Sequence, residues 1–236
     1  MSDNLVLVFD LETVPDLQAY AAASGLVGHP EKTVREQMGE KFPRQIFHRI
    51  ACLGSLLADR GNDGVWRTTT LEAPTLGGST TERDMIQGFV DRIAALEPRL
   101  VTFNGTSFDL PVLRYRAMIH SIAAPGLAAR RYFHRFTEDM VDLCDLLSGY
   151  EAHHRVGLDQ LARVLGLPGK PEGVDGSSVE AMFNQGRQAE IAAYCRSDVV
   201  NTYRIWLRHE LFAGRLGDAE FAASEKDLAA FLARQS

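Results

Sequence analysis

Asp10 and Glu12 close an apolar run at residues 5–9 and stand two positions apart. In an extended strand alternate side chains share a face, with about 6.6 Å of rise between them, so both carboxylates project to one side. Two ionised carboxylates near 4 Å repel by roughly 4 kcal/mol at a surface-like dielectric, and a divalent cation between them reverses that cost. The pair is a candidate hard-metal site, with ordinary acidic loop chemistry after a strand as the alternative. Tyr194 and Asp198 are four apart in a helical stretch, and so lie on one helix face about 5 to 6 Å from each other. Asp109 falls in the first turn of another helix, where the macrodipole favours a carboxylate by a few tenths to about 1 kcal/mol. Taken singly, Asp109 reads as a first-turn helix acid, Tyr194 as a half-buried aromatic and Asp198 as a solvated helix residue. Asp142 and Asp145 are further acidic candidates.

Elements must position these side chains. The unbroken apolar run, bounded by Asn4 and by Thr13 with Pro15 beyond, predicts a strand buried on both faces in the middle of a sheet. Some 35 residues separate it from the next strand-like segment, 48–59, too many for a structureless link. Segments 16–23 and 31–41 have helical composition, so a partly helical insertion is expected over about 14–47. The Asn62-Asp63-Gly64 turn and the β-formers at 65–71 predict a hairpin of the second and third strands. Apolar residues recurring at three- and four-residue steps predict a helix over 82–96, capped by Ser79 or Thr80. A short buried strand is expected at 100–103, then a helix with Ser107 as N-cap running to about 120, then a last short strand and turn within 140–147. Further helices are expected at 158–165, 179–183 and about 187–212. A C-terminal helix within about 218–234 is expected to be capped by Asp218. Since the acids of interest span positions 10 to 198, their convergence requires residues 1–236 to form a single domain, and the alternation of strands and helices makes it α/β.

The 236 residues, 45% of them hydrophobic, supply a substantial core. No window approaches 18 apolar residues and no basic leader precedes Asp10, so a cytoplasmic protein with no membrane partner is expected. Cys52, Cys144 and Cys195 are far apart, odd in number and in no C-x-x-C arrangement. They indicate buried thiols rather than a zinc site or a disulfide framework. The net charge of −6 argues against non-specific, charge-driven nucleic-acid binding, although acids gathered around metal ions become locally cationic. Arg130, Arg131 and Arg135 interleave with Tyr132, Phe133 and Phe136. This segment is either a surface loop whose aromatics plug the core or a contact for single-stranded nucleic acid.

In joint order and spacing these residues resemble the DEDD superfamily of 3′-5′ exonucleases. Phe9-Asp10-Leu11-Glu12-Thr13 looks like the first exonuclease motif, Phe103-Asn104-Gly105-Thr106-Ser107-Phe108-Asp109 like the second, and Tyr194-Cys195-Arg196-Ser197-Asp198 like the third. With alanine at position 193 and tyrosine at 194, the third motif resembles the tyrosine subclass (DEDDy) rather than the histidine one. The resemblance narrows to predicted stand-alone exonucleases related to the proofreading domain of family B DNA polymerases, and covers about residues 4–210. It implies a ribonuclease H-like fold, a mixed central sheet flanked by helices. It implies hydrolysis at the 3′ ends of single-stranded DNA, with RNA ends or non-catalytic nucleic-acid binding as alternatives. It also implies two Mg²⁺ or Mn²⁺ ions, the choice that oxygen-only ligands favour. By resemblance Asp10 would bridge both ions, Glu12 and Asp198 would complete the site of the attacking water, and Asp109 would support the second ion through water. Tyr194 would orient that water, because a tyrosine hydroxyl with its usual pKa of about 10 is a poor base at neutral pH. Leu11, Thr13, Asn104, Phe108 and Lys170 are the implied substrate contacts. Leu11 and Phe108 would stack against or wedge the terminal nucleotide, or pack the core. Lys170 and the three arginines would meet phosphates, or are solvated charge.

Overall fold

A computed structural model describes residues 4–39, 41–169 and 178–235. The apolar opening run becomes β1 (Leu5–Pro15), the middle strand of a five-stranded mixed sheet. On one side it pairs antiparallel with β2 (His48–Arg60), which pairs antiparallel with the edge strand β3 (Trp66–Glu72). On the other it runs parallel to β4 (Arg99–Thr102), itself parallel to β5 (Met140–Asp142). The period of two divides β1 between two layers. Leu7, Phe9 and Leu11 pack with residues of α3 (Glu82–Leu96) and α4 (Asp109–Ile119). Val6 and Val8 pack with Val199, Tyr203 and Trp206 of α9 (Gln188–Phe212). Asp10 and Glu12, in phase with Val6 and Val8, therefore stand on the α9 side.

The segment between β1 and β2 folds as α1 (Leu17–Ser24), α2 (Glu31–Met38) and a 3-10 turn (Gln45–Phe47). It is anchored by buried charge. Glu82 accepts the Ile50 N–H at 2.7 Å and the Arg116 Nε–H at 2.8 Å, with His120 Nε2 at 2.8 Å. Arg116 also pairs with Asp16, the N-cap of α1. The short helices α5 (Pro125–Ala129), α6 (Leu143–Leu147), α7 (Leu158–Val164) and α8 (Val179–Asn184) fill the periphery. The last helix, α10 (Asp218–Ala233), lies along β3. There Ser224 Oγ accepts the Trp66 N–H at 2.9 Å and Asp227 Oδ2 accepts the Thr68 N–H at 2.8 Å. These bonds satisfy donors that an edge strand would otherwise present to another chain. Among the described residues, no helix is long and apolar enough to cross a membrane.

Three caps differ from expectation. Thr81, not Ser79 or Thr80, caps α3 in a reciprocal box with Asp84, because the backbone of Thr80 is spent on a tight bridge to Gly77. Phe108 rather than Ser107 occupies the cap position of α4, with no side-chain cap, because the Ser107 N–H turns back to the Asn104 carbonyl at 3.2 Å. Gly217 precedes α10 and Asp218 is its first residue, where a carboxylate still meets the positive end of the helix.

Candidate active site

The ladder between β1 and β4 ends at Val8 and Val101, so β1 runs on past its neighbour on that side. There Asp109 Oδ1 accepts the Leu11 N–H at 2.9 Å, which brings the first residue of α4 against the backbone between Asp10 and Glu12. The loop before α4 makes this possible. Asn104 takes a left-handed φ of 68°, which asparagine tolerates. Gly105 passes so close that a Cβ there would fall 2.2 Å from Thr102 Oγ1. Asp142 holds the loop, accepting the N–H groups of Asn104 at 2.8 Å, Thr106 at 2.9 Å and Cys144 at 3.0 Å. Asp145 is paired with Arg135 at 2.9 Å and Arg155 at 2.6 Å. Asp142 and Asp145 are therefore structural acids. Burial pushes the Asp109 carboxyl up, to about 7, with the Asp142 charge adding and the Leu11 N–H opposing. Desolvation favours the neutral acid.

From the other face, α9 brings the third motif. Register sets Gly54 of β2 opposite Asp10. A Cβ at Gly54 would stand 2.6 Å from Cys195 Sγ and 2.9 Å from Val199 Cγ2, so the missing side chain is what lets α9 lie directly on β1 and β2. The Cys195 thiol donates weakly to the Asp10 carbonyl at 3.6 Å and to Asp10 Oδ2 at 3.7 Å. Asp10, Glu12 and Cys195 offer ligand atoms within 4.8 Å of one another. Its neighbour Cys52, burial, and the charges of Asp10 and Glu12 hold the Cys195 thiol well above its usual range. Asp198 stands one turn after both Cys195 and Tyr194 on α9, at the i+3 and i+4 spacings that make side chains neighbours on a helix. Tyr194 and Asp198 are buried, at 4% and 5% exposure, so Asp198 is not the solvated residue, nor Tyr194 the half-buried one, that each resembles when read alone. Glu12 is buried and Asp10 half-buried. Asp109 of α4 is thus tied to the strand end that carries Asp10 and Glu12, and α9, the helix of Asp198, packs against the same strand from the other face; carboxylate oxygens are donors suited to a hard divalent cation. The sequence places Cys195 in the third motif and marks it as a buried thiol, with no contact to Asp10 expected. Its approach to Asp10 follows from the Gly54 contact, and a glycine inside a strand is the one signal of close approach.

The expected substrate contacts divide. Leu11 is buried in the core layer under α3 and α4, and Phe108 packs against the same layer. Thr13 Oγ1 lies 2.8 Å from His48 Nδ1. The Asn104 side chain accepts from Arg155 at 3.0 Å. Lys170 lies outside the described residues. Arg130 is paired with Asp139, which Arg131 also approaches at 3.5 Å, and Arg135 is paired with Asp145 and Glu151. Tyr132 is fully buried and Phe133 packs against the core, whereas Phe136 is exposed, so the loop plugs the core with two of its three aromatics.

A five-stranded mixed sheet in this order, flanked by helices, is a ribonuclease H-like α/β fold. Residues 40–236 match the family described as predicted 3′-5′ exonuclease related to the exonuclease domain of PolB, and the chain belongs to that family. No curated protein matches it. Among solved structures it resembles the family B DNA polymerase of the hyperthermophilic archaeon Pyrobaculum calidifontis. That likeness has a TM-score of 0.58 at 21% identity, covering 89% of this chain and 24% of the polymerase. A weaker likeness is to E. coli exonuclease I in complex with a dA16 oligonucleotide, with a TM-score of 0.39 at 14% identity, covering 89% of this chain and 45% of that one. The chain thus spans about a quarter of the first protein and under half of the second.

Proposed function

We propose that this chain is a metal-dependent 3′-5′ exonuclease that removes nucleotides from the 3′ ends of single-stranded DNA. The observation that carries the proposal is the 2.9 Å bond from Leu11 N–H to Asp109, which draws the second motif onto the strand whose Asp10 and Glu12 share a face. Asp10, Glu12, Asp109 and Asp198 would hold two Mg²⁺ or Mn²⁺ ions. Such ions, when bound, stabilise negative charge on the attacking and leaving oxygens and acidify water. The chain's own groups supply position. Tyr194, one turn before Asp198 on α9, orients the attacking water through its hydroxyl. Water adds to phosphorus in line with the 3′ oxygen, and that P–O bond breaks. A 5′-mononucleotide and a strand one residue shorter with a new 3′ hydroxyl result. The family's relation to a DNA polymerase domain supports DNA as the substrate.

The test uses 5′-labelled single-stranded DNA and RNA of one sequence. The expected result is a ladder of single-nucleotide steps from the 3′ end, faster on DNA and abolished by chelator. No shortening of either strand with Mg²⁺ or Mn²⁺ present contradicts the proposal.

A further inference from the structure

Resting on the nuclease reading above, we propose that Phe42, carried by the insertion between β1 and β2, is a stacking platform for a base near the 3′ end of the bound strand. Phe42 is 75% exposed, yet its ring is held in place. Its centroid lies 4.7 Å from that of His48 and 5.4 Å from that of Phe108, and those two rings meet edge-on at 5.0 Å.

His48 fixes the group. Its Nε2 lies 3.1 Å from the carbonyl of Pro43, the residue after Phe42. Its Nδ1 lies 2.8 Å from Thr13 Oγ1, one residue beyond Glu12. A carbonyl only accepts, so Nε2 carries the proton and Nδ1 takes the hydrogen of the Thr13 hydroxyl. One buried imidazole thereby joins the carboxylate strand to the residue beside Phe42. A second tie runs from Gln45 Nε2 to the Ser107 carbonyl at 3.1 Å, two residues before Asp109. The exposed ring is thus registered against two of the acid-bearing elements, β1 and α4.

The flanking charges identify the occupant. Lys41 and Arg44 are exposed on either side of Phe42. A π-face that accepts any base, beside cations that meet phosphates, is how proteins bind single strands without reading sequence. An exonuclease needs that tolerance.

The test places 2-aminopurine, whose fluorescence stacking quenches, at each of the last three positions of an oligothymidylate 12-mer. Binding is followed in an Asp10→Asn background that spares the strand. Adding Phe42→Ala should raise Kd about 10-fold and relieve quenching at one of the three positions, whereas Phe42→Trp should keep both and neither change should move the melting temperature. In the otherwise native chain, Phe42→Ala should raise KM and spare kcat. Unchanged Kd and unchanged fluorescence at all three positions in Phe42→Ala overturn the proposal. Strand binding that depends on Phe42 without any shortening by the native chain would instead overturn the nuclease reading and leave the platform standing.

Discussion

Asp109 concentrates the cost of this site in one residue. Its carboxyl ionises near pH 4 in an unfolded chain and at about 7 in the fold, chiefly because it is buried. The folded state therefore binds more protons between those values. Stability of the metal-free chain should fall as pH rises from about 4 to about 7, by up to about 4 kcal/mol, and stay level above. Asp109→Asn keeps an oxygen for the Leu11 N–H and cannot ionise. It should flatten that slope in thermal unfolding with chelator, raise the melting temperature at pH 7.5, and abolish hydrolysis; parallel slopes in the two proteins would refute the assignment. At this scale the sequence was informative where spacing alone fixes a face, as for Asp10 with Glu12 or Tyr194 with Asp198. It was silent where partners are distant. Asp142 and Asp145 carry the same chemistry as Asp109 but are spent on the 104–106 backbone and on Arg135 and Arg155, and apart from the motif at 103–109 nothing local distinguishes the three. Phe42 and His48 were missed for the same reason, since only folding brings them to Thr13 and Phe108.

At the scale of elements, Gly54 decides how closely α9 approaches the carboxylate strand. Gly54→Ala forces a Cβ to within 2.6 Å of Cys195 Sγ, an overpacking that typically costs about 1 to 3 kcal/mol. Because α9 must shift to make room, kcat should fall further than stability does, which urea unfolding beside steady-state kinetics would separate. The insertion has its own keystone. Arg116→Ala would leave Glu82 buried with one guanidinium fewer, and breaking such a pair costs about 3 to 5 kcal/mol, read as a lowered urea midpoint. The partly helical character of the insertion was legible in composition broken at Gly25, Gly28 and Pro30. Its anchoring was not, because Asp16, Glu82 and Arg116 lie far apart in the chain and meet only in the fold. Helix caps failed where the backbone of the obvious capping residue was committed elsewhere, as at Thr80 and Ser107.

For the whole molecule, the order β3-β2-β1-β4-β5 sets the opening strand at the centre, so one strand end receives α4 from one layer and α9 from the other. A continuous apolar run at residues 5–9 announced that central place. The use of α10 to seal β3 did not show in the sequence, since Ser224 and Asp227 look like ordinary surface residues until their side chains meet the strand's N–H groups. Acids from three elements are proposed to act as one cation site. Buried like charges should make the metal-free site strained, and cations should relieve it. The direct measurement is the shift in melting temperature on adding Mn²⁺ or Mg²⁺ to the native chain and to Asp10→Asn. A marked rise in the native chain that is largely lost in the variant is the predicted result, and equal shifts in the two would contradict it.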